Sequence, residues 1–157
     1  MDKTSTYQLL LKQVESLIGD VHNITGQLAN AAALIHHTMG FWWTGFYLVR
    51  DGKLALGPFQ GPVACYEIKC GRGVCGTAWQ DNRTIVVPDV EAFPGHIACS
   101  SESRSEIVVP LRDSAGQVLG VLDIDSRELN TFDDVDAHWL EQIARIIEQS
   151  VFNHCQG

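Results

Sequence analysis

The stretch FWWTGFYLVRDGKLALGPF, residues 41–59, limits the fold more than any other part of the sequence. Its apolar residues follow a period of two, which is typical of β-strands. The dipeptide Asp51-Gly52 in the middle is a strong signal for a tight β-hairpin. The segment therefore predicts two antiparallel strands, over 41–49 and 53–59.

Helical patterns precede this hairpin and follow the last strand. Helical apolar spacing covers residues 4–18 and 20–39, with Gly40 ending the second helix, and a closing helix covers 133–152. Further segments are predicted as strands at 65–69, 84–89, 105–111 and 117–126 and as a short helix at 73–82. Helices at both ends of mostly hairpin-linked strands predict an α+β sandwich, in which an antiparallel sheet carries helices on one face.

The composition is that of one globular domain, and the lack of a leader and of a membrane span predicts a cytosolic protein. The 157 residues are 45% hydrophobic and 19% charged, which is enough for a core without disulfides or metal. The formal net charge of −8 argues against a nucleic-acid or anionic-membrane surface, because such a surface needs clustered lysine and arginine. We expect no membrane span and no signal peptide, since neither the apolar run nor the basic leader is present.

The chain is large enough to fold without disulfide bonds, yet it contains an odd number of cysteines, namely Cys65, Cys70, Cys75, Cys99 and Cys155. In a reducing cytosol such a set is more often catalytic, redox-active or metal-binding than structural. There is no Cys-x-x-Cys pair, and gaps of five, five and twenty-four residues match no common zinc module. We therefore expect no metal site.

Cys99 stands out because it lies in the polar, turn-rich stretch FPGHIACSSESRS, just before a predicted strand. Buried cysteines usually sit inside apolar segments instead. Glu106 follows seven residues later and interrupts the start of that otherwise apolar strand. His96 has two open roles, either tuning the Cys99 thiol or only shaping the loop.

The last predicted strand places two carboxylates on one face. Asp123 and Asp125 point one way and Leu122 and Ile124 the other, so the two carboxylates stand about 6–7 Å apart. For Asp125 the alternative is that it simply begins a turn at the end of the strand.

The first strand is expected to place two aromatic side chains on the same face of the sheet as Asp123 and Asp125. Trp43 and Tyr47 share one side, and Gly45 between them is expected to leave room, whereas Trp42 is expected in the core. The three predicted floor residues are carboxylates: Glu106, Asp123 and Asp125. Such a pocket suits a small cation.

The chain resembles the free methionine-(R)-sulfoxide reductases, which are single GAF-domain enzymes. The matching segments are GFWWTGFYLV, GPVACYEIKCGRGVCGTAW, TIVVPDVEAFPGHIACSSESRSEIVVPL and GVLDIDS, and the likeness covers roughly residues 20 to 150. A generic GAF sensor lacks the cysteines at 65, 75 and 99 and the Gly-His-Ile-Ala-Cys loop. The resemblance implies a GAF-like fold with a central antiparallel sheet of about six strands. It also implies a single domain over 1–157, with N-terminal helices at 4–39, the sheet and active-site loops at 41–126 and the C-terminal helix at 133–152.

The resemblance also implies roles for the cysteines. The nucleophile falls on Cys99 and the resolving thiol on Cys65, with Cys75 as an alternative resolving cysteine. Cys70 lies outside the family pattern, yet it is close enough in sequence to Cys65 and Cys75 to leave the resolving thiol open. Cys155 is expected to be a loose surface thiol.

The substrate pocket implied by the resemblance consists of the residues that strand alternation had already gathered: Trp43, Tyr47, Glu106, Asp123 and Asp125. Asp123 and Asp125 would hold the ammonium group of a free amino acid. Glu106 would donate a proton to the sulfoxide oxygen, which leaves poorly without one.

The activity implied is reduction of free L-methionine-(R)-sulfoxide to L-methionine. A sulfenic acid on Cys99 would condense with a second thiol to an intramolecular disulfide, and thioredoxin would recycle it without any cofactor. The (R) preference and thioredoxin rest on the resemblance alone, and a homodimer is left open. The alternatives are a GAF small-molecule sensor without chemistry and a structural or interaction module; a sensor would need no resolving thiol.

Overall fold

The computed structural model describes residues 2–96 and 102–153. The helices are α1 (Lys3–Ile18), α2 (Ile24–Met39), α3 (Gly73–Asp81) and α4 (Asp134–Ile147), with a 3-10 turn at Val90–Ala92 and a π-helical turn at Glu148–Phe152. The strands are β1 (Trp43–Arg50), β2 (Lys53–Gln60), β3 (Glu67–Lys69), β4 (Ile85–Val87), β5 (Ser105–Arg112) and β6 (Val118–Ser126).

The strands form one six-stranded sheet in the order β3-β2-β1-β6-β5-β4, and every neighbouring pair is antiparallel. The predicted hairpin between β1 and β2 is present. Asp51 and Gly52 both have positive φ, of 52° and 75°, as a type I′ turn requires. The sequence-based prediction of an antiparallel α+β fold is therefore confirmed.

The two faces of the sheet carry different layers. One face packs Phe46, Leu122 and Ile124 against α1, α2 and α4 in the larger buried cluster. The opposite face packs against α3, whose Val74 and Ala78 join the second cluster. The N- and C-terminal helices thus share one face, as predicted, and the short helix α3 lies on the other.

Some predicted boundaries were wrong. The second helix begins at Ile24 rather than at residue 20, because the side chain of Asn23 accepts a hydrogen bond from the Gly26 amide at 3.0 Å and so caps the helix there. The predicted strands at 65–69 and 84–89 shrink to three residues each. Pro88 has no amide hydrogen to continue the ladder of β4. The closing helix changes to π-type hydrogen bonding after Ile147.

Among the described residues, no helix is both long and apolar enough to cross a bilayer.

Candidate functional site

Three carboxyl groups meet on the sheet face that carries α3. In the β1–β6 ladder Asp123 pairs with Gly45 and Asp125 with Trp43, and in the β5–β6 ladder Asp125 pairs with Glu106. Directly opposed residues point to the same side of a sheet, and so do residues two apart on one strand. The predicted floor of Glu106, Asp123 and Asp125 is therefore brought together, and Asp125 is part of β6 rather than the start of a turn.

Few hydrogen bonds from the described residues offset the cost of burying these carboxyls. Glu106 and Asp123 are 7% and 5% exposed, and Asp125 is partly buried. Ser103 Oγ donates a hydrogen bond to Asp125 Oδ1 at 3.2 Å. Asp123 Oδ1 has no hydrogen-bond partner within residues 2–96 and 102–153. Because a buried acceptor without a partner is costly, this atom marks where a ligand can donate.

Burial raises the pKa of all three carboxyls. For Glu106 the pKa rises well above its usual range, first from desolvation and then from the charges of Asp123 and Asp125. The pKa of Asp125 is likewise raised well above the ordinary value by burial and by Asp123. The pKa of Asp123 is also raised by burial, but hydrogen bonds from its neighbours oppose the shift. Asp123 is thus the carboxyl best placed to keep a negative charge, and Glu106 is well placed to hold a proton.

Trp43 and Tyr47 form one wall of the pocket, as predicted. Their ring centroids lie 6.2 Å apart in a stacked arrangement. Trp43 Nε1 donates to the Pro62 carbonyl at 2.9 Å, and Tyr47 Oη donates to the Cys65 carbonyl at 3.0 Å. Both polar atoms are thereby used to hold the segment 61–66 against the pocket, and the rings present apolar surface.

Gly45 does not leave the open space expected between these aromatics. A Cβ on Gly45 would clash with the Cβ of Phe59 and would lie 2.7 Å from the Trp43 ring. Phe59 stacks on Trp43 with a centroid distance of 5.2 Å. The glycine is needed because two aromatic side chains fill the space above it, so the pocket lies further toward Asp123 and Glu106.

Several lining residues were missed from the sequence. Trp42 was expected in the core but is only partly buried and lines the pocket. Ile68 on β3 lines it as well. Others come from segments that no strand pattern connects to this face: Val63, Ala64, Arg72 and Val74. Local periodicity contains no signal for them, because their position depends on how α3 and the segment 61–66 fold over the sheet.

Of the cysteines within residues 2–96 and 102–153, Cys75 is the one that lies among the carboxyls. It is buried on α3, and its Sγ lies 3.9 Å from Glu106 Oε2. Gly76 allows α3 to pack against the end of β3, since a Cβ there would clash with the Lys69 carbonyl oxygen. Burial and then the charges of Asp123 and Glu106 raise the pKa of the Cys75 thiol well above its usual range. Cys75 is therefore a poor nucleophile.

The described cysteines differ in whether the thiol is free or disulfide-bonded. Cys65 is half-buried and disulfide-bonded, whereas Cys70 is an exposed free thiol and Cys75 a buried one. The predicted nucleophile Cys99 and the predicted surface thiol Cys155 lie outside the described residues. His96 is half-buried and lines the pocket, and burial lowers its pKa, so it is mostly neutral at pH 7.

Comparison with known proteins agrees with this fold. The sequence pattern of the GAF domain family matches residues 23–151. GAF domain-containing protein A of Dictyostelium discoideum is 52% identical, with 93% of this chain and 92% of that protein covered. The free methionine-R-sulfoxide reductase of Saccharomyces cerevisiae is 43% identical, with 96% of this chain and 88% of that protein covered.

A solved structure matches equally well. The X-ray structure of the free methionine-R-sulfoxide reductase from Neisseria meningitidis, in complex with its substrate, superposes with a TM-score of 0.95 at 49% identity, covering 99% of this chain and 94% of that one. Fold and site together define a GAF domain with a buried acidic pocket. The chain belongs to the GAF domain family and, within it, to the free methionine-R-sulfoxide reductases, which are oxidoreductases.

Proposed function

We propose that this protein reduces free L-methionine-(R)-sulfoxide to L-methionine by thiol chemistry. The observation that carries the proposal is the pocket of three carboxyls and a wall of two aromatic rings, in a chain whose relatives include free methionine-R-sulfoxide reductases. A free amino acid brings an ammonium group and a short chain ending in a sulfoxide. The carboxyls suit the first and the aromatic rings suit the methyl and methylene groups of the second.

Asp123 and Asp125 bind the substrate ammonium in this proposal. The unpartnered Oδ1 of Asp123 accepts one ammonium hydrogen, and the charge of the ligand offsets the burial of the carboxylate. A methionine sulfoxide inside a peptide has no ammonium to offer. Discrimination is strong because a buried acceptor is left without a donor when the wrong substrate enters.

Glu106 donates the proton. Its raised pKa keeps it protonated at a pH where an ordinary carboxyl is ionised, which is what a general acid needs. The Cys99 thiolate attacks the sulfoxide sulfur and forms a sulfur–sulfur bond, and Glu106 protonates the oxygen. As that bond and the substrate sulfur–oxygen bond break, the hydroxyl passes to the Cys99 sulfur and one electron pair stays on the methionine sulfur, so methionine leaves as a thioether. The oxygen remains on Cys99 as a sulfenic acid, so the substrate sulfur is reduced and the Cys99 sulfur is oxidised.

Cys65 then resolves the sulfenic acid. Its thiol attacks the Cys99 sulfur, water leaves, and a disulfide joins the two residues. This assignment is supported by the disulfide-bonded state of Cys65 and by the free thiols of Cys70 and Cys75. A dithiol protein such as thioredoxin restores both thiols by exchange, which requires a reducing compartment such as the cytosol and no bound cofactor.

The experiment is a turnover assay. The reduced protein is incubated with free methionine-(R)-sulfoxide and dithiothreitol, and released methionine is quantified. We expect multiple turnovers with the (R) isomer and none with the (S) isomer or with N-acetylmethionine sulfoxide. Binding of the (R) isomer without release of methionine would favour the alternative, a GAF sensor that performs no chemistry.

A further inference from the structure

Cys75, Glu106 and Asp123 converge on one point from three different elements, namely α3, β5 and β6. One ligand atom from each residue lies within 4.8 Å of the other two, and Cys75 Sγ is 3.9 Å from Glu106 Oε2. A tetrahedral zinc ion, with metal–ligand bonds of about 2.0–2.3 Å, holds its ligand atoms about 3.5 Å apart. Small side-chain movements therefore suffice to bring these three atoms into a coordination sphere.

A second observation points to a ligand at the same place. Asp123 Oδ1 is buried and has no hydrogen-bond partner among the residues described, although its side chain lines the pocket. None of the ion pairs found within residues 2–96 and 102–153 involves Glu106 or Asp123. Buried anionic groups are normally paired or coordinate a metal, so the site suits a cation.

We propose that Cys75, Glu106 and Asp123 bind a borderline or soft divalent cation, best represented by Zn²⁺, when no substrate is bound. Binding releases the protons of Cys75 and Glu106, and the resulting thiolate and two carboxylates are donors that Zn²⁺ accepts at tetrahedral distances. Mg²⁺ and Ca²⁺ prefer six or more oxygen ligands and gain nothing from sulfur. Three protein ligands leave the fourth position to water, which is the arrangement of an exchangeable ion rather than a structural one.

Zn²⁺ and the substrate cannot occupy the site together, and this inference rests on the proposed function. The ammonium group needs the Asp123 oxygen that the metal also needs, and two cations in one buried site repel each other. Zn²⁺ therefore acts as an inhibitor competitive with methionine sulfoxide. The enzyme would lose activity when free zinc rises and regain it when a chelator is added.

The test uses Co²⁺ as a coloured probe for Zn²⁺ in the full-length protein, without thiol reductant. We expect a thiolate-to-cobalt charge-transfer band that saturates at one ion per chain, disappears when Zn²⁺ is added and is unaffected by excess Mg²⁺. The band should be absent in Cys75→Ser and present in Cys70→Ser, the matched control with an exposed free thiol. A band that survives in Cys75→Ser, or is lost equally in Cys70→Ser, overturns the proposal.

A second variant keeps the test independent of how well Cys75→Ser folds. Equilibrium dialysis should show Zn²⁺ affinity at least about tenfold weaker in Asp123→Asn than in the parent, while circular dichroism of the two proteins stays the same. Equal Zn²⁺ affinity in Asp123→Asn and the parent would show that Asp123 is not a ligand.

Free methionine should displace Co²⁺ from the site. If methionine binds without displacing Co²⁺, the metal and the substrate do not compete, and only that part of the proposal is overturned. The turnover assay tests the reductase activity separately.

Discussion

At the scale of single residues, Glu106 and Asp123 are chemically similar carboxyls with different proposed tasks. Glu106→Gln removes the proton donor, so we expect kcat to fall by roughly 10²–10⁴-fold. Asp123→Asn removes an ammonium ligand and should mainly raise KM.

In the parent protein, kcat should decline as pH rises through the raised pKa of Glu106, because the carboxyl loses its proton above that pKa. A kcat–pH profile in which Glu106→Gln retains this decline would assign the acid elsewhere.

The proposed resolving role of Cys65 can be tested at the same scale. Cys65→Ser should lose thioredoxin-supported turnover but still release about one methionine per chain in a single turnover, because the sulfenic acid on Cys99 can form and is not resolved. The measurement is methionine released per protein, with Cys70→Ser in parallel. Full thioredoxin activity in Cys65→Ser would transfer the role to Cys70 or Cys75.

At the scale of elements, α1 is fastened to α4 by a buried polar contact. Tyr7 Oη donates to Asp136 Oδ1 at 2.6 Å, and Lys3 Nζ donates to Oδ2 at 2.7 Å. Asp136 is 1% exposed and also closes the capping box with Asp133 at the start of α4. Both helices therefore depend on one buried carboxylate for their relative position.

Removing one partner of that carboxylate should be costly. Tyr7→Phe should lower the free energy of unfolding by about 1–3 kcal/mol, because Asp136 Oδ1 loses its buried donor. Tyr66→Phe is the matched control, since Tyr66 is 83% exposed and the same hydroxyl is removed there. Urea denaturation of both variants measures the difference. Equal midpoints for the two variants would mean that the buried contact contributes nothing.

At the scale of the whole molecule, the larger hydrophobic core and the proposed substrate pocket lie on opposite faces of the sheet. Ile124 is fully buried toward the terminal helices, and its neighbour Asp123 faces the pocket. Ile124→Val should cost about 0.5–1.5 kcal/mol of stability and leave methionine affinity unchanged. Asp123→Asn should weaken methionine binding and stabilise the ligand-free protein at neutral pH. Calorimetric binding and denaturation of both variants test the separation.

The sign of the Asp123→Asn effect follows from its pKa. Burial raises the pKa of Asp123 in the folded chain, so ionisation favours unfolding as pH rises from the ordinary carboxyl value of about 4 through the raised one. The stabilisation by asparagine should therefore be present at pH 7 and vanish below about pH 4. A gain that persists unchanged at low pH would show that it has a cause other than charge.

Alternation along strands and the chemistry of turns determine much of this protein from the sequence by itself. The hairpin at Asp51-Gly52 and the shared face of Asp123 and Asp125 are local properties, because a strand's side chains alternate whatever lies around it. The same reasoning correctly put Trp43 and Tyr47 on the wall of the pocket.

Only the tertiary structure decided what stands opposite these residues. Three features depend on contacts between segments far apart in the sequence. Cys75 lies beside Glu106, Phe59 fills the space over Gly45, and Trp42 lines the pocket. Strand periodicity says which way a side chain points but not what it meets. What it meets is set by close packing of whole elements, in which α3 and the segment 61–66 settle over the sheet.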